Sequence, residues 1–232
     1  MAIWDDVISP EERELYARGG MGGEPIGYGS RPVLLVVDMT YGFVDSAYPL
    51  GHNETGWPAA QAIAEVLDVA REQGVPVIYT LGRPGETPME CGRWKGGGAA
   101  GNPLMREGRA NEIVDVIAPR AGEPVIAKTF PSAFFGTNLL SYLVYANADT
   151  IILTGMVTSG CVRSTAIDAF SYNFRVVIPQ ECVADRGQTS HKVALFDLHM
   201  KYADVVPLAE AVAYFGGLGR SEVGTVAGHA RG

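Results

Sequence analysis

Residues 32–38 read PVLLVVD, an unbroken apolar run that ends in a carboxylate. A strand with one wet face alternates apolar and polar side chains. A continuous run belongs to a strand covered on both faces, as in a parallel sheet between helices. The next stretches of chain fit that reading. Residues 59–73 carry Ile63, Val66, Leu67 and Ala70 at helical spacing and close on Gly74, a natural C-terminal cap. Residues 75–81 (VPVIYTL) then read as the next strand.

The same alternation extends along the chain. The pattern predicts a short helix at 109–118, a strand at 124–128 and a helix at 137–147 with Leu139, Leu140, Leu143 and Val144 inward. Further strands are expected at 150–154, 174–179 and 203–206, with helices at 161–173, 190–201 and 207–215. Strands alternating with helices imply an α/β fold, a mostly parallel six-stranded sheet with helices on both faces. No internal repeat or interdomain linker interrupts it. One domain is therefore expected over 32–216, preceded by an acidic, glycine-rich arm (1–31) and followed by a flexible glycine-rich tail (217–232).

Composition narrows the function. With 47% hydrophobic and 19% charged residues the chain is globular. A formal net charge of −8 disfavours a nucleic-acid partner, which calls for a basic face. The first thirty residues show no export signal, and no apolar run approaches the roughly 20 residues that span a bilayer. Cys91, Cys161 and Cys182 form neither a disulfide framework nor a paired metal motif. A cytoplasmic protein without membrane attachment is the expectation.

In open parallel sheets ligands sit at the carboxyl ends of the strands. Asp38 ends the first strand, Lys128 ends the strand from 124, and Cys161 follows the strand 150–154 in TGMVTSGCVRSTAIDAF. A cysteine at a helix N-terminus feels the positive end of the macrodipole, which favours its thiolate, and free N–H groups there can meet an oxyanion. A lone cysteine is also commonly just a small buried hydrophobe. Asp38 and Lys128 on the same edge weigh against that: buried charges need partners or a role. Asp38 can accept the thiol proton, and Lys128 can stabilise the resulting charges. Cys91 and Cys182 have no such neighbours and read as structural.

These pieces resemble the isochorismatase-like cysteine hydrolases, and most closely the branch of N-carbamoylsarcosine and maleamate amidases. The matching segments are LLVVDM around Asp38, AKTFPSAFFGTNL from Lys128, LTGMVTSGCV up to Cys161, VADRG at 183–187 and DLHMKYADVV at 197–206. The resemblance implies a three-layer α/β/α sandwich, Rossmann-like, in a homo-oligomer (dimer or tetramer). It implies a triad of Asp38, Lys128 and Cys161 that cleaves a small amide through a thioester on Cys161. It further implies a cis peptide, placed here at Val157–Thr158, that aims the Thr158 N–H with that of Cys161 at the oxyanion. Arg186 in VADRG takes the place of the arginine that grips a substrate carboxylate, for which a planar guanidinium is well shaped. The other reading of Arg186 is a surface residue paired with Asp185 or Glu181.

Phe43, Trp94 and Phe134 are candidate apolar walls, with Trp94 inside a glycine-rich stretch, 82–108, that is long enough to be a lid. Arg163, two residues beyond Cys161, is expected to point away. No cofactor and no metal are expected. The nicotinamidase branch carries an Asp-x-His pair soon after the first strand, whereas Asp45 here is followed by serine and alanine. His52 stands alone, and His191 and His199 are too far apart on one helix to share an ion. Nicotinamide or a ureido acid stays open as substrate, as does a non-catalytic binding protein. No glycine fingerprint for a dinucleotide follows the first strand.

Overall fold

The computed structural model describes residues 2–83, 87–95 and 108–218. Seven parallel strands form one sheet. They are β1 (Pro32–Val37), β2 (Val77–Gly82), β3 (Val125–Lys128), β4 (Thr150–Met156), β5 (Arg175–Pro179), β6 (Val183–Ala184) and β7 (Asp204–Val206). The order is β3-β2-β1-β4-β5-β7, with β6 paired to β4. The six expected strands are all present. The seventh, two residues long, takes over beside Gly155 and Met156 where β5, paired only to Thr150–Ile152, has ended.

Helices cover both faces. They are α1 (Pro10–Arg18), the single turn α2 (Tyr41–Val44), α3 (Asn53–Glu72), the single turn α4 (Pro88–Cys91), α5 (Leu139–Tyr145), α6 (Arg163–Ser171), α7 (Gln188–Lys201) and α8 (Leu208–Leu218). Odd residues of β1 (Val33, Leu35, Val37) join the core under α5, α6 and α7, whereas Leu34 and Val36 join the core under α3 and α8. That division explains why the 32–37 run carries no polar position. A fully buried side chain of this size contributes roughly 1.5–3 kcal/mol relative to exposure. Among the described residues no helix is long and apolar enough to cross a membrane.

Three expectations need correcting. Residues 109–118 do not form a helix; only a 3₁₀ turn at Asp115–Ile117 does. Their backbone pairs with the loop after β1 instead: Tyr41 and Gly42 N–H donate to the carbonyls of Glu112 and Ala110, and Val114 N–H donates to Met39. Val144 is exposed at 68%, because α5 turns only Leu139 and Leu143 fully inward. The segment before β1 also contributes to the core of its own chain. Trp4 and Ile8 are buried, Trp4 lies 6.0 Å from the Phe196 ring, and the Asp204 carboxylate accepts from the Ile26 and Gly27 N–H groups. The lid reading of 82–108 and the tail beyond Leu218 fall largely outside the described residues, as does the Cys91 side chain.

Two features shape the functional edge. The strand order reverses between β1 and β4, so a crevice opens at their carboxyl ends. At that edge Gly155 takes φ +116°, and a Cβ there would stand 2.0 Å from the Val37 carbonyl oxygen. Only glycine lets β4 run this close to β1.

Candidate active site

The register carries the three predicted side chains to one place. Val37 is level with Thr80 and with Gly155, and Gly82 is level with Lys128. Asp38 follows Val37 directly in a left-handed conformation, φ +52°, which aspartate tolerates better than most residues. Its Oδ1 accepts from the Thr80 hydroxyl at 2.7 Å, and its Oδ2 stands 2.6 Å from Lys128 Nζ.

An ammonium has three N–H bonds, and Lys128 has three acceptors for them. Besides Asp38 these are the Phe130 carbonyl at 3.2 Å and the Cys161 sulfur at 3.3 Å. Burial alone would push the Lys128 ammonium down. The Asp38 carboxylate and the Cys161 sulfur more than offset that, and hold it above its ordinary value.

Cys161 sits in a π-helical turn, Thr158–Val162, that leads into α6. The helix terminus favours a thiolate here, and the surroundings of the sulfur oppose it. Burial, and after it the Asp38 charge, push the thiol up to about 12, and Lys128 only partly opposes them. The resting site is a thiol beside an ion pair. Asp38 is in place to accept the thiol proton.

The peptide on the nucleophile segment is a correction. The cis bond is Met156–Val157, one residue earlier than expected. Val157, Gly160 and Cys161 line the cavity, whereas Thr158 is fully buried behind it with its hydroxyl 2.8 Å from His191 Nδ1.

The cavity over Cys161 has a volume of about 240 Å³. Its walls include the expected Phe43, Trp94 and Arg186, and it opens beside Asp38 and Lys128. Phe134 is a second correction: it is buried in the core, stacked on Tyr172 at 5.3 Å. Phe130, four residues earlier, forms the wall instead. Thr40, Leu50, Arg83 and Asn111 also line the cavity and were not foreseen. Asn111 reaches it because 109–114 pairs with the β1 loop, a long-range contact without a local signal.

Arg186 donates to the Leu50 carbonyl from Nε at 3.2 Å and from Nη2 at 3.0 Å. The pairing with Asp185 is not formed, since that carboxylate turns inward and accepts from Ser159. Arg163 points away, as expected, and pairs with Asp197 at 2.9 Å. Cys182 is buried, with its thiol pushed up by that burial. His52 contacts Thr55, and His199 accepts from the Val205 N–H. Among the described residues no group of three or more His, Cys, Asp or Glu is placed to hold a metal ion.

Comparison with known proteins decides the family. The profile of the Isochorismatase domain matches residues 32–210. The chain belongs to the isochorismatase family. Within the family it is 34% identical to the maleamate amidohydrolase of Pseudomonas putida over 195 residues, covering 83% of this chain and 91% of that protein. It is 35% identical to an N-carbamoylsarcosine amidase of Arthrobacter over 204 residues, 85% of this chain and 76% of the relative. Among solved isochorismatase-like structures, the N-carbamoylsarcosine amidase of Thermoplasma acidophilum superposes with a TM-score of 0.62 at 29% identity, covering 77% of this chain and 96% of that one. The parallel sheet between helical layers is thus the isochorismatase-family fold.

Proposed function

We propose that this isochorismatase-family hydrolase is a cysteine amidohydrolase that converts a small, linear, carboxylate-bearing amide to its acid and ammonia. That it hydrolyses amide C–N bonds follows from family membership and from two amidohydrolase relatives at 34% and 35% identity. The observation that carries the mechanism is the contact of Lys128 with both Asp38 and Cys161, at 2.6 and 3.3 Å, on the lining of the cavity.

In this reading Cys161 Sγ attacks the amide carbon while its proton moves to Asp38. The carbonyl electrons collect on oxygen as an oxyanion. Among the N–H groups of the segment, those of Ser159, Gly160 and Val162 are committed to the Asp185 carboxylate and the Val157 carbonyl. Val157 and Cys161 lie on the cavity wall, so their N–H groups are the ones we assign to the oxyanion. Asp38 then hands the proton to the amide nitrogen, the C–N bond breaks and ammonia leaves. Water attacks the thioester, giving its proton to Asp38, and the acid departs as the thiol is restored.

The substrate class rests on charge and shape. Asp38 and Lys128 neutralise one another. Among the described residues, that leaves Arg83 and Arg186 as the uncompensated cations on a wall that also carries the apolar side chains of Phe43, Leu50, Trp94 and Phe130 and the polar ones of Thr40 and Asn111. A short amide with a carboxylate at its far end, such as maleamate or an N-carbamoyl amino acid, suits that lining. The test is ammonia release from maleamate, N-carbamoylsarcosine, ureido acids, nicotinamide and neutral primary amides, wild type beside Cys161→Ala. Release from a carboxylated amide, lost in the variant, is the expected result. Release from nicotinamide alone would replace this substrate class, and turnover that survives in Cys161→Ala would end the nucleophile assignment.

A further inference from the structure

The segment that carries the nucleophile has two sides. Val157, Gly160 and Cys161 face the cavity. Thr158 and Ser159, between them, face the opposite way and meet two polar side chains, Asp185 just after β6 and His191 on α7. The Thr158 hydroxyl lies 2.8 Å from His191 Nδ1, with Thr158 fully buried and His191 only 5% exposed. The Asp185 carboxylate accepts from the Ser159 N–H at 2.9 Å and from the Ser159 hydroxyl at 2.6 Å, and it is 3% exposed. Thr158, Asp185 and His191 are buried whereas Ser159 is exposed, and a polar group buried to that depth costs free energy unless it is well paired.

We propose that His191 and Asp185 are positioning residues for the reaction: they clamp Thr158 and Ser159 from behind the cavity, and so set where the Val157 and Cys161 N–H groups point. The clamp works by geometry. A π-helical turn has looser internal hydrogen bonding than an α-helix, so its peptide planes need holding from outside. Asp185 and His191, both buried, hold the consecutive residues Ser159 and Thr158 without lining the cavity. His191 suits the task as a neutral ring: burial pushes its pKa down, opposed by Asp185 across from it and reinforced by Lys192 on its own helix. Neither residue touches the reacting atoms.

The proposal rests on Cys161 being the nucleophile, and its test separates the two ideas. Two probes read the same sulfur. p-Nitrophenyl acetate acylates it: the thiol proton passes to Asp38, the S–C bond forms, a carbonyl oxygen passes through an oxyanion, and p-nitrophenolate leaves. Iodoacetamide alkylates it by displacing iodide, with no oxyanion. The ratio of the two rates, followed by mass spectrometry of the Cys161 peptide, therefore reports the aim of the oxyanion donors.

Removing one such donor outright costs about 100- to 1,000-fold in acyl transfer, and a misaimed one should cost less. Thr158→Val and His191→Ala are expected to lower acylation by about 10- to 100-fold and leave alkylation within about twofold. Thr158→Ser keeps the hydroxyl, and His191→Asn puts an amide near the Nδ1 position. Both should stay close to wild type. Because the two residues act as one unit, Thr158→Val/His191→Ala should be no worse than the weaker single variant. Parallel loss of acylation and alkylation, or failure of Thr158→Val to fold, would make the contact purely structural and overturn the proposal. Unchanged acylation in Thr158→Val would overturn it too. A wild-type Cys161 that takes up neither probe would instead remove the nucleophile reading itself, and the clamp with it.

Discussion

Lys128 Nζ and Asp38 Oδ2 meet at 2.6 Å with both side chains almost wholly out of water, at 3% and 2% exposure. A pair buried this deeply is not a gain in stability by itself, since desolvation consumes most of the attraction. Removing one partner is different, because it strands the other charge. Lys128→Met is expected to destabilise the fold by about 3–5 kcal/mol in a denaturant titration and to abolish ammonia release. The double variant Asp38→Asn/Lys128→Met should regain most of that stability and none of the activity. A double variant as unstable as the single one would show that the ion pair is not what Lys128 supports.

Asp38 has opposite effects on the reactivity and the usefulness of the thiol. Its charge helps push Cys161 up to about 12, so neutralising it should free the thiolate. Asp38→Asn should therefore be alkylated by iodoacetamide faster than wild type at pH 8, by about tenfold or more for each unit the thiol falls. The same variant should hydrolyse amides at a small fraction of the wild-type rate, since it lacks the proton donor proposed for the leaving nitrogen. Slower alkylation and slower hydrolysis together would contradict the arrangement.

The raised thiol also predicts an alkaline limit. Below pH 9.0, the ordinary value, the thiol is protonated in the folded and the unfolded chain alike. As pH climbs from 9 toward 12 the unfolded thiol ionises while the folded one cannot, so folding stability is lost over that window. Lys128, also held above its ordinary value, acts in the same direction as pH rises. The stability difference between wild type and Cys161→Ala should be flat below pH 9 and move against wild type above it. Urea unfolding at pH 7, 9 and 10.5 measures this.

Phe130 and Phe134 should separate cleanly. Phe134→Ala removes a buried ring stacked on Tyr172 and is expected to cost about 3–5 kcal/mol of stability, with KM little changed. Phe130→Ala, on the cavity wall, should raise KM severalfold with a smaller loss of stability. The reverse pattern would put Phe134 back among the substrate contacts.

Arg186→Ala should raise KM for carboxylated amides by about 10- to 150-fold, the range of a charge-assisted hydrogen bond of roughly 1.5–3 kcal/mol. Neutral amides of the same length should change little. Equal loss on both would show that the tie to Leu50 is what matters.

Most of the architecture was legible in the sequence because strands buried on both faces leave continuous apolar runs, and the strand-end rule then placed Asp38, Lys128 and Cys161 on one edge. The same rule had a further use: Thr80 is level with Val37, so its hydroxyl beside Asp38 was within reach of a register argument. Other residues carried no such signal. Phe130, Phe134 and Phe135 sit within six residues, and nothing local says which one faces the cavity. The 109–118 segment looks helical, but its hydrogen bonds go to residues 39–42. Ile3, Trp4, Val7 and Ile8 share one helical face, a signal easily passed over because the surrounding stretch is short and acidic. A helix-terminus argument for Cys161 counts the dipole and omits both the desolvation of the sulfur and the carboxylate beside it.

Gly155 bears on how this protein can vary. Val37 leads into the proposed base and Gly155 leads toward the proposed nucleophile, and the two strands touch where Gly155 has no side chain. Any other residue would wedge them apart and lengthen the path a proton must travel. In a library of single substitutions, Gly155 should rank with Cys161 among the positions that tolerate nothing, although it meets no substrate. Drift among such hydrolases is then bounded by an empty space the width of one methyl group.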